Sequence, residues 1–285
     1  GVHPLWLQEK LRVSNPEITI QAPPSKFDSL NHMQEWFEIN VKPYCREKEG
    51  NILRWEGCFA EARRNHIKRL AISFGTADVD LVGGMENFQA ILEGFHQQYC
   101  KDTLFEPELA YSTYCNVEEE SEKIDEYLAP RFFRSIDLNC GENVQPFHAY
   151  VSLYRKAEKY GIKKKAHVGE TGSANDILEA IEVLGLDEVH HGIAAASSLS
   201  TMRVLADRKI QLNVCPSSNF MLQVAESYKH HQIQTLVRNG VPVTINTDDL
   251  LIFQQSIDQE YIHLYEAGTL TAEELEEIRI QGLRS

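Results

Sequence analysis

Two apolar rhythms take turns along this chain from about residue 25 to its end. Segments with apolar residues at helical spacing alternate with short apolar runs of strand length. Seven runs read as strands, at residues 70–74, 107–114, 133–138, 165–168, 188–191, 210–214 and 241–246. Helical segments at 85–99, 117–128, 147–160, 174–184, 198–208 and 233–238 separate them. Two more helices close the chain at 257–265 and 272–280, and two precede the first strand at 30–39 and 52–70. Strand, helix and strand in this order predict an α/β fold with a parallel sheet. An open doubly wound sheet and a closed (β/α)8 TIM-type barrel both satisfy the pattern. A barrel needs eight strands, and the chain opens in what reads as a strand-to-helix loop. A barrel here would therefore lack its first strand.

The 285 residues fit one large barrel or two ordinary domains. No repeat or low-complexity stretch divides the chain, and residues 14–25, with three prolines, read as a loop, so one domain over 1–285 is expected. The formal net charge of −14 would repel a phosphate backbone or an anionic membrane surface, which argues against nucleic-acid and membrane partners. A small neutral or cationic molecule remains open. Six scattered cysteines with no CxxC pair form neither a disulfide framework nor a thiolate zinc site. They read as reduced thiols of a cytoplasmic protein, and no apolar run has membrane-spanning length. The basic run Lys163-Lys164-Lys165 reads as a solvated loop and strand edge.

Ionisable residues gather where strands end, the place where parallel barrels carry their active sites. One run ends in His167-Val168-Gly169-Glu170, the next in His190-His191-Gly192, and the last in Asn246-Thr247-Asp248-Asp249. Singly, each has an ordinary explanation as a surface histidine, a turn or a helix cap. Together, on strands of one sheet, they would face one pocket. Neutral imidazole and carboxylate are the ligands of a catalytic zinc ion, which lowers the pKa of water, and a separate carboxylic acid can protonate the leaving side of a substrate. His167, His191, Asp248 and Glu170 supply those residue types but too few ligands. The H-x-E and P-C-x-x-C elements of cytidine-type deaminases are absent.

Ala166-His167-Val168-Gly169-Glu170, His191-Gly192, Cys215-Pro216-Ser217-Ser218-Asn219 and Asn246-Thr247-Asp248-Asp249 resemble, in order and spacing, the motifs of the adenosine deaminase family. Ile136 to Glu142 resembles the family's segment after its fourth strand. The resemblance is strong over 134–261 and weaker before. It implies a TIM-type barrel that deaminates an aminopurine, adenosine first, with adenine or a modified aminopurine as alternatives. Another amidohydrolase reaction and a metal-free binding protein are the rival classes. It further implies one Zn2+ held by His167 and Asp248. Glu170 would protonate a purine ring nitrogen, and His191 would hold and help deprotonate the attacking water. Asp249 would accept a hydrogen bond from the five-membered ring, and Gly141 would offer its amide to the ring. The partner implied is a small purine nucleoside or base.

Two departures stand out. His190 occupies the position before the catalytic histidine where glycine is usual, and Leu250 one where many members have proline. The family's HxH ligand pair is absent, and residues 1–4 resemble the loop directly after it. The two further histidine ligands are therefore expected upstream of Gly1, with His3 an imperfect substitute. Residues 279–285 likewise stop inside a family-like helix, so truncation at both ends is expected.

Overall fold

The computed structural model of the chain describes residues 1–13, 15–142 and 144–284. Seven strands form: β1 (Arg69–Gly75), β2 (Leu104–Ser112), β3 (Ser135–Asn139), β4 (Lys163–Val168), β5 (Glu188–His191), β6 (Gln211–Val214) and β7 (Val243–Ile245). Each lies where a strand was expected. They form one sheet in chain order, β1 to β7, with every neighbouring pair parallel. A doubly wound sheet reverses its strand order at a switch point, and this one does not. The sheet instead curls into an incomplete TIM-type barrel. Among the described residues there is no eighth strand, and no ladder joins β7 to β1. A cavity of about 1100 Å³ is lined by residues of both edge strands, including Ile72, Phe74, Thr244 and Ile245.

Helices shield the outside of the sheet, and their ends follow from local chemistry. In Ala174–Leu184, Ser173 and Asp176 form a capping box, and Gly185, with φ 67°, ends the helix in the left-handed region. Its buried residues Ile177, Ala180, Ile181 and Leu184 recur at helical spacing and join the main core with Ala166 and Val168 of β4. Each fully buried Ile or Leu contributes roughly 1.5–3 kcal/mol. The helix expected over 52–70 instead spans Lys48–Arg64. His66, with φ 53°, turns the chain before β1 begins. Three short helices follow strand ends without having been expected: Thr76–Leu81, Pro216–Met221 and Leu250–Phe253. None of the described helices is long and apolar enough to cross a membrane.

The N-terminal segment closes over the C-terminal ends of the strands. Val2, Leu7, Leu11 and Val41 share a core with Leu251, and Phe27 packs with Leu222, Ile252 and Phe253. That packing places helix Leu30–Asn40 at the mouth of the barrel, where Gln34 Nε2 donates to the Cys140 carbonyl at 3.0 Å.

A further expectation fails. Lys165 is buried, not solvated: its side chain points between Glu108 of β2 and Glu188 of β5, pairing with both, the second at 3.1 Å. Ser73 and Ser135 donate to Glu108 at 3.0 Å, and Asn213 donates to Glu188 at 3.0 Å. The two carboxylates make it possible to bury the ammonium. Lys165→Met should therefore destabilise the fold by about 3–5 kcal/mol in denaturant unfolding, because it strands buried carboxylates without their cation. Lys163→Met, at the rim of the same network, should cost less than about 1 kcal/mol.

Candidate active site

The parallel register of β4 and β5 sets His167 beside His190 and Val168 beside His191. The His167 ring centroid lies 4.7 Å from that of His190 and 5.2 Å from that of His191. Asp137, in the middle of β3, places Oδ1 3.1 Å from His167 Nδ1. His191 brings Nδ1 to 3.2 Å from Glu170 Oε1 and Nε2 to 4.0 Å from Asp248 Oδ2. His167, His191 and Asp248 line one cavity at the strand ends, and Glu170 lies against His191 beside it.

This gathering carries backbone strain. His191 and Asp248 have φ of 62° and 55°, a region that costs a side-chain-bearing residue of order 1–3 kcal/mol. Gly169, with φ 73°, is also required for space, since a Cβ there would lie 2.4 Å from Ile177 Cδ1. The loop that follows is organised by Glu142. Its carboxylate accepts from the amides of Gly169, Glu170, Thr171 and Gly172 at 2.7–3.0 Å. The Glu170 side chain is then held from the other side by Ser218 Oγ at 3.4 Å and Asn219 Nδ2 at 3.3 Å, both on helix Pro216–Met221.

The same pocket drives its ionisable groups apart. Burial, reinforced by Asp248 and opposed by His167, pushes the Glu170 carboxyl up to about 8. Burial pushes His191 down to about 3 against the pull of Asp248, so its imidazole is neutral. Burial would also lower His167, but the Asp137 carboxylate outweighs it and raises the group to about 9. The carboxylates therefore favour a positive charge at His167.

A divalent metal ion would satisfy that preference with His167 neutral. Among the described residues, two groups bring potential ligand atoms within 4.8 Å of one another: Asp137, His167 and His190, and His191, Cys215 and Asp248. His167 and Asp248 fall in different groups, and His191 adjoins both. Asp137 Oδ2 and His191 Nδ1 are buried without a hydrogen bond. Imidazoles, carboxylates and unpaired polar atoms make a donor set that fits such an ion. Burial holds the Cys215 thiol well above its ordinary range, so it is not a ready thiolate. His3 is not drawn in: it caps helix Pro4–Leu11, accepting from the Leu5 amide at 3.3 Å.

Two expected substrate contacts have protein partners here. The Gly141 amide donates to Thr113 Oγ1 at 3.1 Å, and a Cβ at 141 would meet Tyr114 Oη at 2.9 Å. Asp249 Oδ1 caps helix Leu250–Phe253 through the Leu251 amide at 2.9 Å. Asp137 and Glu142 were visible only as parts of a motif. The alternation of β3, with Ile136 and Leu138 in the apolar core, could have flagged Asp137 as facing the barrel interior.

A curled parallel sheet thus carries histidines and carboxylates that converge at its strand ends, which defines the class of parallel-barrel protein with a candidate metal centre. The sequence model described as adenosine deaminase matches residues 109–285. A protein of Treponema pallidum (strain Nichols) described as a putative adenosine/adenine deaminase is 29% identical over 262 residues, 89% of this chain and 85% of that protein. An adenine deaminase of Psychrobacter cryohalolentis is 33% identical over 140 residues, 49% of this chain and 42% of its own length. Among solved structures, an adenine deaminase from Arthrobacter aurescens superposes with a TM-score of 0.84 at 20% identity, covering 99% of this chain and 89% of that one. An Arabidopsis N6-mAMP deaminase superposes with 0.81 at 16% identity, covering 99% and 88%. At those identities the likeness is one of fold. The chain belongs to the adenosine deaminase family.

Because one carboxylate gathers four loop amides, Glu142→Ala should release them together. Hydrogen exchange at residues 169–172 should accelerate, and stability should fall by about 1–3 kcal/mol. Unchanged protection at these amides would show that the loop holds itself.

Proposed function

We propose that the chain hydrolyses the exocyclic amine of adenosine, converting water and the aminopurine into an oxopurine and ammonia. The observation that carries this reading is Glu170, a buried carboxyl pinned by Ser218 and Asn219 beside a neutral His191. In its acid form Glu170 donates to a purine ring nitrogen, which makes the amine-bearing carbon electrophilic. His191, between Glu170 and Asp248, orients the attacking water and takes its proton. Asp249 and Gly141 flank the ring. His167 and Asp248 would be two of the ligands of one zinc ion, which when bound would polarise water for attack. An amide hydrolase has less use for a buried, protonated carboxyl aimed at a ring nitrogen.

A second cavity, of about 640 Å³, opens between helix Leu30–Asn40 and the strand ends, with Gln34, Phe37, Tyr114, Cys140 and Asp249 in its lining. It has room for a sugar, which favours adenosine over the free base. Adenine is the second reading, since several relatives are described as adenine deaminases.

The test is ammonia release from adenosine, paired with metal analysis. Glu170→Gln should keep its metal and lose roughly 10²- to 10⁴-fold in turnover. His167→Ala should lose the metal, and Asp249→Ala should retain it while binding the purine more weakly. Since the acid form of Glu170 is the active one, turnover should fall as pH rises through about 8, and Glu170→Gln should lack that descending limb. Near-normal turnover in Glu170→Gln, or loss of its metal, would overturn the assignment.

A further inference from the structure

Three carboxylates and no cation line the cavity at the barrel mouth. Glu35 and Glu38 reach it from helix Leu30–Asn40, and Asp249 joins them from the segment after β7. Positions 35 and 38 stand one turn apart on the same helix face. No lysine or arginine is among the described lining residues, and the helix itself contains none. The cations that follow in the chain, Lys42 and Arg46, are taken up by Glu38, Arg46 at 3.5 Å. Glu35 is exposed and forms no ion pair among the described residues.

The groups nearby that could hold an anion are engaged as well. Gln34 Nε2 donates to the Cys140 carbonyl at 3.0 Å, and the Gly141 amide donates to Thr113 Oγ1 at 3.1 Å. A helix N-terminus also attracts anions. Here Ser29 Oγ accepts from the His32 amide at 3.1 Å, and the Asp28 carboxylate lies 3.6 Å from His32 Nδ1. Phe37 and Ile252 give the wall an apolar surface.

We propose that this cavity selects its ligand by charge. It takes an aminopurine nucleoside whose 5′ end is neutral or cationic and rejects the 5′-phosphate, with Glu35 and Glu38 as the selecting residues. A phosphate carries close to two negative charges at neutral pH, and here it would meet carboxylates with no cation to pair it. The net charge of −14 adds a field of the same sign. A 5′-hydroxyl can instead donate to a carboxylate, and an ammonium there gains attraction. The inference rests on the reading of this cavity as the place of the sugar.

The test is calorimetric binding of three ligands with the same purine: adenosine, AMP and 5′-amino-5′-deoxyadenosine. Neither His167 nor Asp248 lines this cavity, so the chain is used with no metal added. At low salt the amino compound should bind tightest and AMP at least about 10-fold more weakly than adenosine. Near 1 M salt, where charges are screened beyond about 3 Å, the three affinities should converge. Glu35→Gln with Glu38→Gln should bring AMP close to adenosine while leaving adenosine unchanged, and Glu35→Lys should place AMP ahead of it. AMP bound as tightly as adenosine, a gap that salt does not move, or the same gap in the double variant would overturn the inference alone. The salt series on the unaltered chain decides even if a variant fails to fold. A chain that binds none of the three would overturn the purine reading and this inference with it.

Discussion

The pairing of Lys165 with Glu108 and Glu188 ties three strands of the sheet together from the inside. An ammonium and two carboxylates taken from water each carry a desolvation cost of several kcal/mol, returned only when geometry and extra hydrogen bonds are good. Ser73, Ser135 and Asn213 supply those bonds from β1, β3 and β6. An interior so committed to polar pairing is a poor choice for stability alone, because apolar residues of similar volume could fill the same space. It does fix the rotation of each strand about its axis, and that rotation turns His167 and His190, two residues on from Lys165 and Glu188, into the same barrel interior. The network and the candidate centre are consecutive layers of the same barrel interior.

Environment then separates groups of like chemistry. Asp137 and Glu170 are both buried carboxyls in one pocket, yet Asp137 is held below its ordinary range and Glu170 far above it. Burial raises both. Two imidazoles adjoin Asp137 and overcome that effect, whereas Glu170 has the Asp248 carboxylate adding to burial and only neutral donors in direct contact. His167 and His191 divide in the same way, one beside a carboxylate that keeps its proton and the other stripped of it by burial. Such pairs, pushed apart by their surroundings, are how one site carries acid and base together near neutral pH.

Much of this was legible in the sequence. The seven strands declare themselves because each apolar run is bounded by turn residues and separated by a helix-period segment, and the strand ends name His167, Glu170, His191 and Asp248. What escaped had physical reasons. Helices Thr76–Leu81, Pro216–Met221 and Leu250–Phe253 are under two turns and cannot display a period. Lys165 stands in a run of three lysines, and its burial depends on carboxylates from two distant strands. Glu142 could be read as part of a motif, but capping four amides is a property of a folded loop. His190 was visible only as a departure. Its neighbours Asn213 and Asp137 lie on other strands.

The strained residues join these threads. A left-handed φ at His191 and at Asp248 holds the chain in a conformation neither residue favours, and the surrounding structure must compensate. At His191 the next residue, Gly192, is also left-handed, and a Cβ there would sit 2.7 Å from Leu212 Cδ2. The backbone after β5 is therefore fixed by apolar contact with β6, not by the polar pocket it serves. At Asp248 the Asp249 amide donates back to Asp248 Oδ1 at 2.8 Å, and Asp249 in turn caps the helix packed under the N-terminal segment. Each strained residue is thus tied to structure beyond the pocket, to the core in one case and to a capped helix in the other. Their side chains, His191 and Asp248, are left facing each other at 4.0 Å with no stronger local preference to draw them away.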